Sequence, residues 1–160
     1  MTHPGGRLDA SVIIEDTKTI RTAVFKHEKD FCAWIVSNMD KFCTDILNDE
    51  LVSFEIERNM APLQNRCLSP RPKRVDLLIQ GTGQTYLVEL KNPYHKAENR
   101  KAIGQLLDYG RSFVKPAQLV LVTTNFDLDT AKTIEHYNLP IRYIYLSKEK
   151  MLEYVGDLDD

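Results

Sequence analysis

The sequence predicts a single α/β domain, in which a mixed central β-sheet is flanked by helices. Three patterns support this fold class: one stripe of apolar residues at helical spacing, three alternating segments in succession, and a continuous apolar run after a second helical segment. The 160 residues, of which 42% are hydrophobic, are enough for one domain with a core. We expect residues 1–160 to form this one domain, with a loose tail at 1–10 and a core at about 28–146.

The first helix is predicted from His27 to about Asn48, because apolar residues recur there every three or four positions. Glu28 falls in its first turn, where an acid complements the helix dipole. The segment before it, residues 11–25, is consistent with short strands or with the start of the helix. The apolar stripe consists of Phe31, Trp34, Ile35, Met39, Phe42 and Ile46.

A half-buried strand is predicted at 51–59, where apolar and polar residues alternate. Val52, Phe54 and Ile56 form its apolar face, and Ser53, Glu55 and Glu57 form its solvated face, from which either glutamate could reach a neighbouring site. The next segment, 60–73, contains three prolines and is predicted to be a loop.

Two further strands, 74–80 and 84–91, flank a glycine-containing turn and predict a β-hairpin. A turn centred on Thr82 and Gly83 places Asp76 directly opposite Glu89. Opposed strand residues have Cβ atoms about 4.5–5.5 Å apart, so the two carboxylates repel each other unless a cation lies between them. Lys91 shares the face of Glu89, which completes a cluster of two acids and one base. A solvated sheet edge with one Glu–Lys contact is the alternative interpretation.

The second half of the chain predicts two helix–strand pairs and a closing helix. A helix is expected at 97–113, a strand buried on both faces at 119–124, and a short helix capped by Asp129 that ends at His136. A strand at 141–146 and a helix at 148–155 complete the order. The first three strands of this mixed sheet are expected to be antiparallel.

The distribution of charge along the chain indicates which classes of partner are plausible. The net charge is −2, yet the segment from Arg58 to Lys115 has eleven Lys or Arg residues and four Asp or Glu residues. A basic segment around a small acidic site suits a polyanion, although acidic and basic segments can also neutralise each other in the fold. No apolar run has the length of a membrane span and no signal-peptide pattern is present, so we expect no membrane partner and a cytoplasmic location.

The hairpin and the following helix resemble the PD-(D/E)XK nuclease superfamily, which has the restriction-endonuclease-like fold. The signature of that superfamily is an acid on one strand and Glu-X-Lys on the next, matched here by Asp76 and by Glu89-Leu90-Lys91. Many RecB-like members add Gln-X-X-X-Tyr on the next helix, matched by Gln105 and Tyr109. The sequence is most similar in character to the NucS nuclease domain. The resemblance covers roughly residues 28–124.

This resemblance implies a Mg²⁺- or Mn²⁺-dependent nuclease, acting on nucleic acid that is expected to be DNA. It implies that Asp76, Glu89, the Leu90 carbonyl and Glu28 form the metal site. Lys91 would orient or deprotonate the attacking water, as the physical chemistry of phosphodiester hydrolysis also requires. Gln105 and Tyr109 would hold the site or touch the phosphate backbone. Two departures are that Val75 replaces the signature proline and that these 160 residues hold no counterpart of the DNA-binding amino-terminal domain of NucS, so the resemblance does not extend to mismatch specificity.

Four basic residues near the cluster are expected to contact nucleic acid: Arg71, Lys73, Arg74 and Arg100. A homodimer is a further expectation, because compact nucleases that cut both strands often dimerise. Two alternatives to a nuclease stay open. One is a module of this fold that binds nucleic acid without turnover, and the other is an α/β domain whose acidic surface binds a partner protein.

Overall fold

Five strands form one central sheet in the computed structural model, which describes residues 24–59 and 74–151. Their spatial order follows their order in the chain. The strands are β1 (Leu51–Asn59), β2 (Arg74–Gly81), β3 (Thr85–Lys91), β4 (Gln118–Thr123) and β5 (Ile141–Tyr145). The predicted α/β class with a mixed sheet is therefore confirmed.

The first three strands are antiparallel, and β4 and β5 run parallel to β3. The register of β2 on β3 is the one that the turn predicts, since Leu77 pairs with Val88 and Ile79 pairs with Tyr86. The apolar run of β4 lies between β3 and β5 and is buried along almost its whole length. Its lack of alternation thus reflects burial on both faces.

Helices cover both faces of the sheet. Helix α1 (Glu28–Ser37) lies over one apolar cluster, which includes Leu77, Val88 and Leu90. Helix α2 (Asn99–Ser112) follows a 3₁₀ turn at Lys96–Glu98, and α2 and α3 (Leu128–His136) pack on a second cluster. None of the helices described is long and apolar enough to cross a membrane.

The prediction of one continuous helix from His27 to Asn48 is wrong. Helix α1 ends at Ser37, and Asn38 adopts a non-helical backbone while its side-chain amide donates to the Trp34 carbonyl at 2.8 Å. A helical turn at Met39–Lys41 and a π-helical segment at Phe42–Leu47 follow. The apolar stripe survives this break because each segment still turns its apolar side to the core.

Two finer predictions are also wrong. Strand β1 is an edge strand on which Val52 and Ile56 are 61% and 50% exposed, so its alternation does not produce a buried face. Helix α3 is capped by Asp127, whose carboxylate accepts the Thr130 N–H at 3.1 Å, and not by Asp129. Asp127 caps the helix because it is the last residue with an extended backbone before the first helical turn.

Several predictions fall on residues outside the described ranges: the tail at 1–10, most of the segment 11–25, the loop at 60–73 and the end of the helix predicted at 148–155. Residues 148–151 are helical as expected. Cys43 is a buried free thiol and Cys32 a half-buried one.

Asp49 fastens the turn of the β2–β3 hairpin to the chain before β1. Its carboxylate accepts hydrogen bonds from the Tyr86 hydroxyl at 2.8 Å, the Thr82 hydroxyl at 2.9 Å and the Gly83 N–H at 3.0 Å. These bonds favour the charged form and hold the pKa of Asp49 well below its usual range, the Tyr86 hydroxyl contributing most. The turn therefore fixes the register that brings Asp76 and Glu89 together at the other end of the hairpin.

Candidate active site

Strands β2 and β3 part at one end of the hairpin, and the candidate site lies in the opening. Their regular pairing runs from the turn to Leu77 and Val88. Beyond that point β2 continues against β1, and β3 continues against β4. We call this opening the fork. It is where a side chain can replace a backbone group as a hydrogen-bond partner.

The Asp76 carboxylate occupies the fork. Its Oδ2 accepts the backbone N–H of Leu90 at 2.8 Å, a position that a main-chain carbonyl fills in a regular ladder. This bond ties the first acid of the motif to the middle residue of Glu-X-Lys. Asp76 is half-buried, whereas Glu89 is only 5% exposed.

Burial and mutual repulsion make both carboxylates hard to ionise together. Desolvation raises the pKa of Asp76, and the charge of Glu28 raises it further, while the Leu90 N–H and Lys91 act in the opposite direction. Desolvation also raises the pKa of Glu89, followed by the charge of Asp76, and Lys91 again opposes. Two close acids that resist ionisation form a site that gains stability from protons or from a cation.

Glu89 has an unsatisfied group. Its Oε1 atom is buried and has no hydrogen-bond partner among the described residues. An unpaired buried carboxylate oxygen costs free energy, so it calls for a ligand. Hard carboxylate oxygens suit Mg²⁺ or Mn²⁺, and the residues present thus fit the divalent cation that the sequence motif implies.

Glu28 reaches the same place from the first turn of α1. It lines a cavity of about 640 Å³ together with Asp76 and Leu90, and Glu57 of β1 lies in the wall as well. Across residues 24–59 and 74–151, no three His, Cys, Asp or Glu side chains are close enough to hold one ion. The innermost pair is therefore Asp76 and Glu89, and Glu28 and Glu57 add negative charge at the rim.

Glu57 of β1 is a further acid that borders the site. Its neighbours Ile56 and Arg58 pair with Leu77 and Val75 on either side of Asp76, and the charge of Glu57 raises the pKa of Asp76. Its backbone has φ 54°, a left-handed conformation that is uncommon for a residue other than glycine. The alternation of β1 placed Glu57 on a polar face, but only the sheet order shows that this face borders the site.

Tyr109 supports the site from α2. Its hydroxyl donates to the Arg74 carbonyl at 2.9 Å, which holds the first residue of β2 beside the fork. Burial raises the pKa of Tyr109, and the charges of Glu89 and Asp76 raise it further. Gln105, one turn earlier on α2, is exposed. The structure thus gives the tyrosine a buried positioning contact and leaves the glutamine facing solvent.

The expected nucleic-acid contacts are only partly described. Arg74 is exposed at the start of β2. Arg100 is exposed on α2, where its Nε lies 3.4 Å from the Asp127 carboxylate, so its charge is partly engaged within the fold. Arg71 and Lys73 lie outside the described residues.

Comparison of the chain with protein-family models, with curated proteins and with solved structures finds no match.

Proposed function

We propose that this protein is a metal-dependent nuclease of the PD-(D/E)XK type, with the restriction-endonuclease-like fold. The observation that carries the proposal is the buried Glu89 carboxylate, which lies near Asp76 at the fork and has one oxygen with no partner in the described part of the chain. The other residues of the motif, Asp76, Leu90 and Lys91, lie in the same hairpin. Helix α1 adds the charge of Glu28 in the wall of the cavity, and α2 adds the hydrogen bond of Tyr109 to the Arg74 carbonyl.

The chain's own groups divide the work as follows. Asp76 and Glu89 would hold Mg²⁺ or Mn²⁺, with the Leu90 carbonyl as a further ligand implied by the motif. When bound, the cation would polarise the scissile phosphate and lower the pKa of the attacking water. The Lys91 ammonium, two residues after Glu89 on the same strand, orients that water and offsets negative charge on the phosphoryl oxygens. Tyr109 keeps β2 in place through the Arg74 carbonyl.

The test is cleavage of end-labelled DNA and RNA, single-stranded and duplex, in Mg²⁺, Mn²⁺ or EDTA. We expect cleavage of at least one substrate in a divalent cation and none in EDTA. Glu89→Gln should reduce the rate by roughly 10²-fold or more, because a neutral amide is a poor ligand for a hard cation.

Glu135→Gln is the matched control, since Glu135 is an exposed carboxylate on α3. It should cleave like the unaltered protein, whereas a contaminating nuclease would give the same cleavage in both variants. Equal activity of the Glu89 and Glu135 variants, or cleavage in EDTA, would refute the proposal.

A further inference from the structure

The turn after β3 presents an aromatic pair to solvent. Tyr94 is 56% exposed, and its ring centroid lies 5.3 Å from that of the adjacent His95 at an interplanar angle of 74°. Tyrosine usually buries its ring and keeps only the hydroxyl in water. The proposed hydrolysis uses neither residue, so the exposed ring surface has no assigned role.

This turn is held at both ends. At one end, the Asn92 side chain accepts the Phe25 N–H at 3.1 Å and the Thr124 hydroxyl at 2.8 Å, and donates to the Phe25 carbonyl at 2.7 Å. The following residue, Pro93, is buried. The exposure of Tyr94 is therefore set by a fixed backbone.

At the other end, Glu98 closes a reciprocal pair with His95. The Glu98 carboxylate accepts the His95 N–H, and the His95 carbonyl accepts the Glu98 N–H, each at 3.0 Å. The carboxylate bond is the capping-box contact from the third residue back to the N-cap, and together with the backbone bond it fixes the first turn before α2. An aromatic ring on such a rigid turn loses little conformational freedom when a ligand binds.

In the chain, the turn directly follows the Glu89–Lys91 segment of the candidate site and precedes several basic residues. Tyr94 follows Lys91 by three positions, so their Cα atoms are at most about 11 Å apart. Lys96 and Lys101 follow on the 3₁₀ turn and on α2, together with the partly paired Arg100. Positive charge next to an exposed ring is the combination that tracks a nucleic-acid backbone and stacks its bases.

We propose that Tyr94, with His95, is a stacking platform for an unpaired base of single-stranded nucleic acid. The inference rests on the proposed function, in which a phosphate of the same strand lies at Asp76 and Glu89. A duplex keeps its base faces stacked inside, whereas an unpaired base offers a face to an aromatic ring. The substrate class is therefore a single strand, a frayed end or a flap, of DNA or RNA.

The experiment measures binding by fluorescence anisotropy in EDTA, where no metal-dependent cleavage occurs. The probes are a labelled single-stranded oligonucleotide, as DNA and as RNA, and the corresponding duplexes. Tyr94→Ala should weaken single-strand binding about ten-fold, the size of effect that loss of one base stack produces. Tyr94→Phe, which keeps the ring, should bind like the unaltered protein, and duplex binding should not change in either variant.

Tyr137→Ala is the matched control. Tyr137 is 68% exposed and makes a similar edge contact with the preceding His136, but it follows α3 and precedes the start of β5, at the opposite end of the parallel strands from Lys91. This variant should bind single strands normally. Unchanged binding by Tyr94→Ala, or equal losses in the Tyr94 and Tyr137 alanine variants, would overturn the platform.

The experiments distinguish failure of the stacking platform from failure of the nuclease proposal. A specific binding loss in Tyr94→Ala supports the platform even if no substrate is cut in Mg²⁺. Metal-dependent cleavage combined with normal binding by Tyr94→Ala rejects the platform alone.

Discussion

Leu90 and Lys91 are neighbours on β3 with opposite surroundings. Leu90 is 1% exposed in the apolar cluster beneath α1, whereas Lys91 is only partly buried and lowers the pKa of both Asp76 and Glu89. A pleated strand sends adjacent side chains to opposite faces, so one residue can serve the core and the next can serve the site. Substitutions at the two positions should therefore separate stability from activity.

Lys91→Ala should leave the fold and most metal binding intact, because both carboxylates remain. Cleavage should fall by roughly 10²-fold or more, as for loss of an electrostatic or proton-transfer group. Lys91→Arg should not restore full activity, since a guanidinium is planar and stays protonated. Leu90→Ala should instead lower the free energy of unfolding by roughly 2–5 kcal/mol through a core cavity.

The measurements are melting temperature and metal-dependent cleavage rate on the same three variants. Full activity in a folded Lys91→Ala protein would remove the lysine from the mechanism and leave it a strand-edge charge.

At the scale of elements, the start of α1 is attached to the end of β3. The Asn92 side chain bonds both backbone groups of Phe25, three residues before Glu28, and also the Thr124 hydroxyl after β4. These bonds span large separations in the sequence. They determine how closely the first turn of α1 approaches the fork.

Asn92→Ala should lower the free energy of unfolding by roughly 1–3 kcal/mol, because it leaves half-buried backbone groups of Phe25 unpaired. Thr124→Val is the graded control, since it removes only one of the three side-chain bonds. Urea denaturation of both variants checks this prediction. A loss in Asn92→Ala no greater than in Thr124→Val would mean that the contact with Phe25 contributes no stability.

The sequence predicts the hairpin well because its determinants are local. Alternation and a glycine turn fix which residues of β2 and β3 pair, and the pairing of Leu77 with Val88 follows. The break at Asn38 was not predictable, because the apolar stripe continues through it. The exposure of Val52 and Ile56 was not predictable either, since alternation cannot distinguish an edge strand from a central one.

The same distinction applies to the site. Asp76 and Glu89 come together through a local register, which the sequence contains. Glu57 borders the site only because β1 pairs with β2, and Asn92 acts only through Phe25 and Thr124. Such long-range partners leave no periodic signal in a single sequence.

At the scale of the whole molecule, the buried pair links stability to pH. Burial raises the pKa of Glu89 to about 8, well above the value of about 4 for an unfolded chain, and it also raises the pKa of Asp76. The folded state thus keeps protons that the unfolded state releases. The stabilisation that the protonated pair contributes is complete below about pH 4 and is lost as the pH rises toward 8.

In EDTA, we expect the contribution of Glu89 alone to the free energy of unfolding to decline by roughly 5 kcal/mol across that range, at about 1.4 kcal/mol for each pH unit. Glu89→Gln should flatten the decline, because an amide does not titrate, and Glu135→Gln should not. Saturating Mn²⁺ should reduce the decline in the unaltered protein, since the cation replaces the protons. Urea denaturation from pH 5 to pH 8 gives the slopes. A decline of the same size in Glu89→Gln would show that other groups produce it.

The fork also determines how much conformational entropy the chain loses when the site forms. Both carboxylates and the lysine lie in one hairpin, whose turn is fastened by Asp49. The cost of closing a loop grows with its length, so bringing Asp76 to Glu89 costs little compared with recruiting either from a distant element. The reacting groups thus form a short-range unit, and the distant elements α1 and α2 contribute charge and support around it.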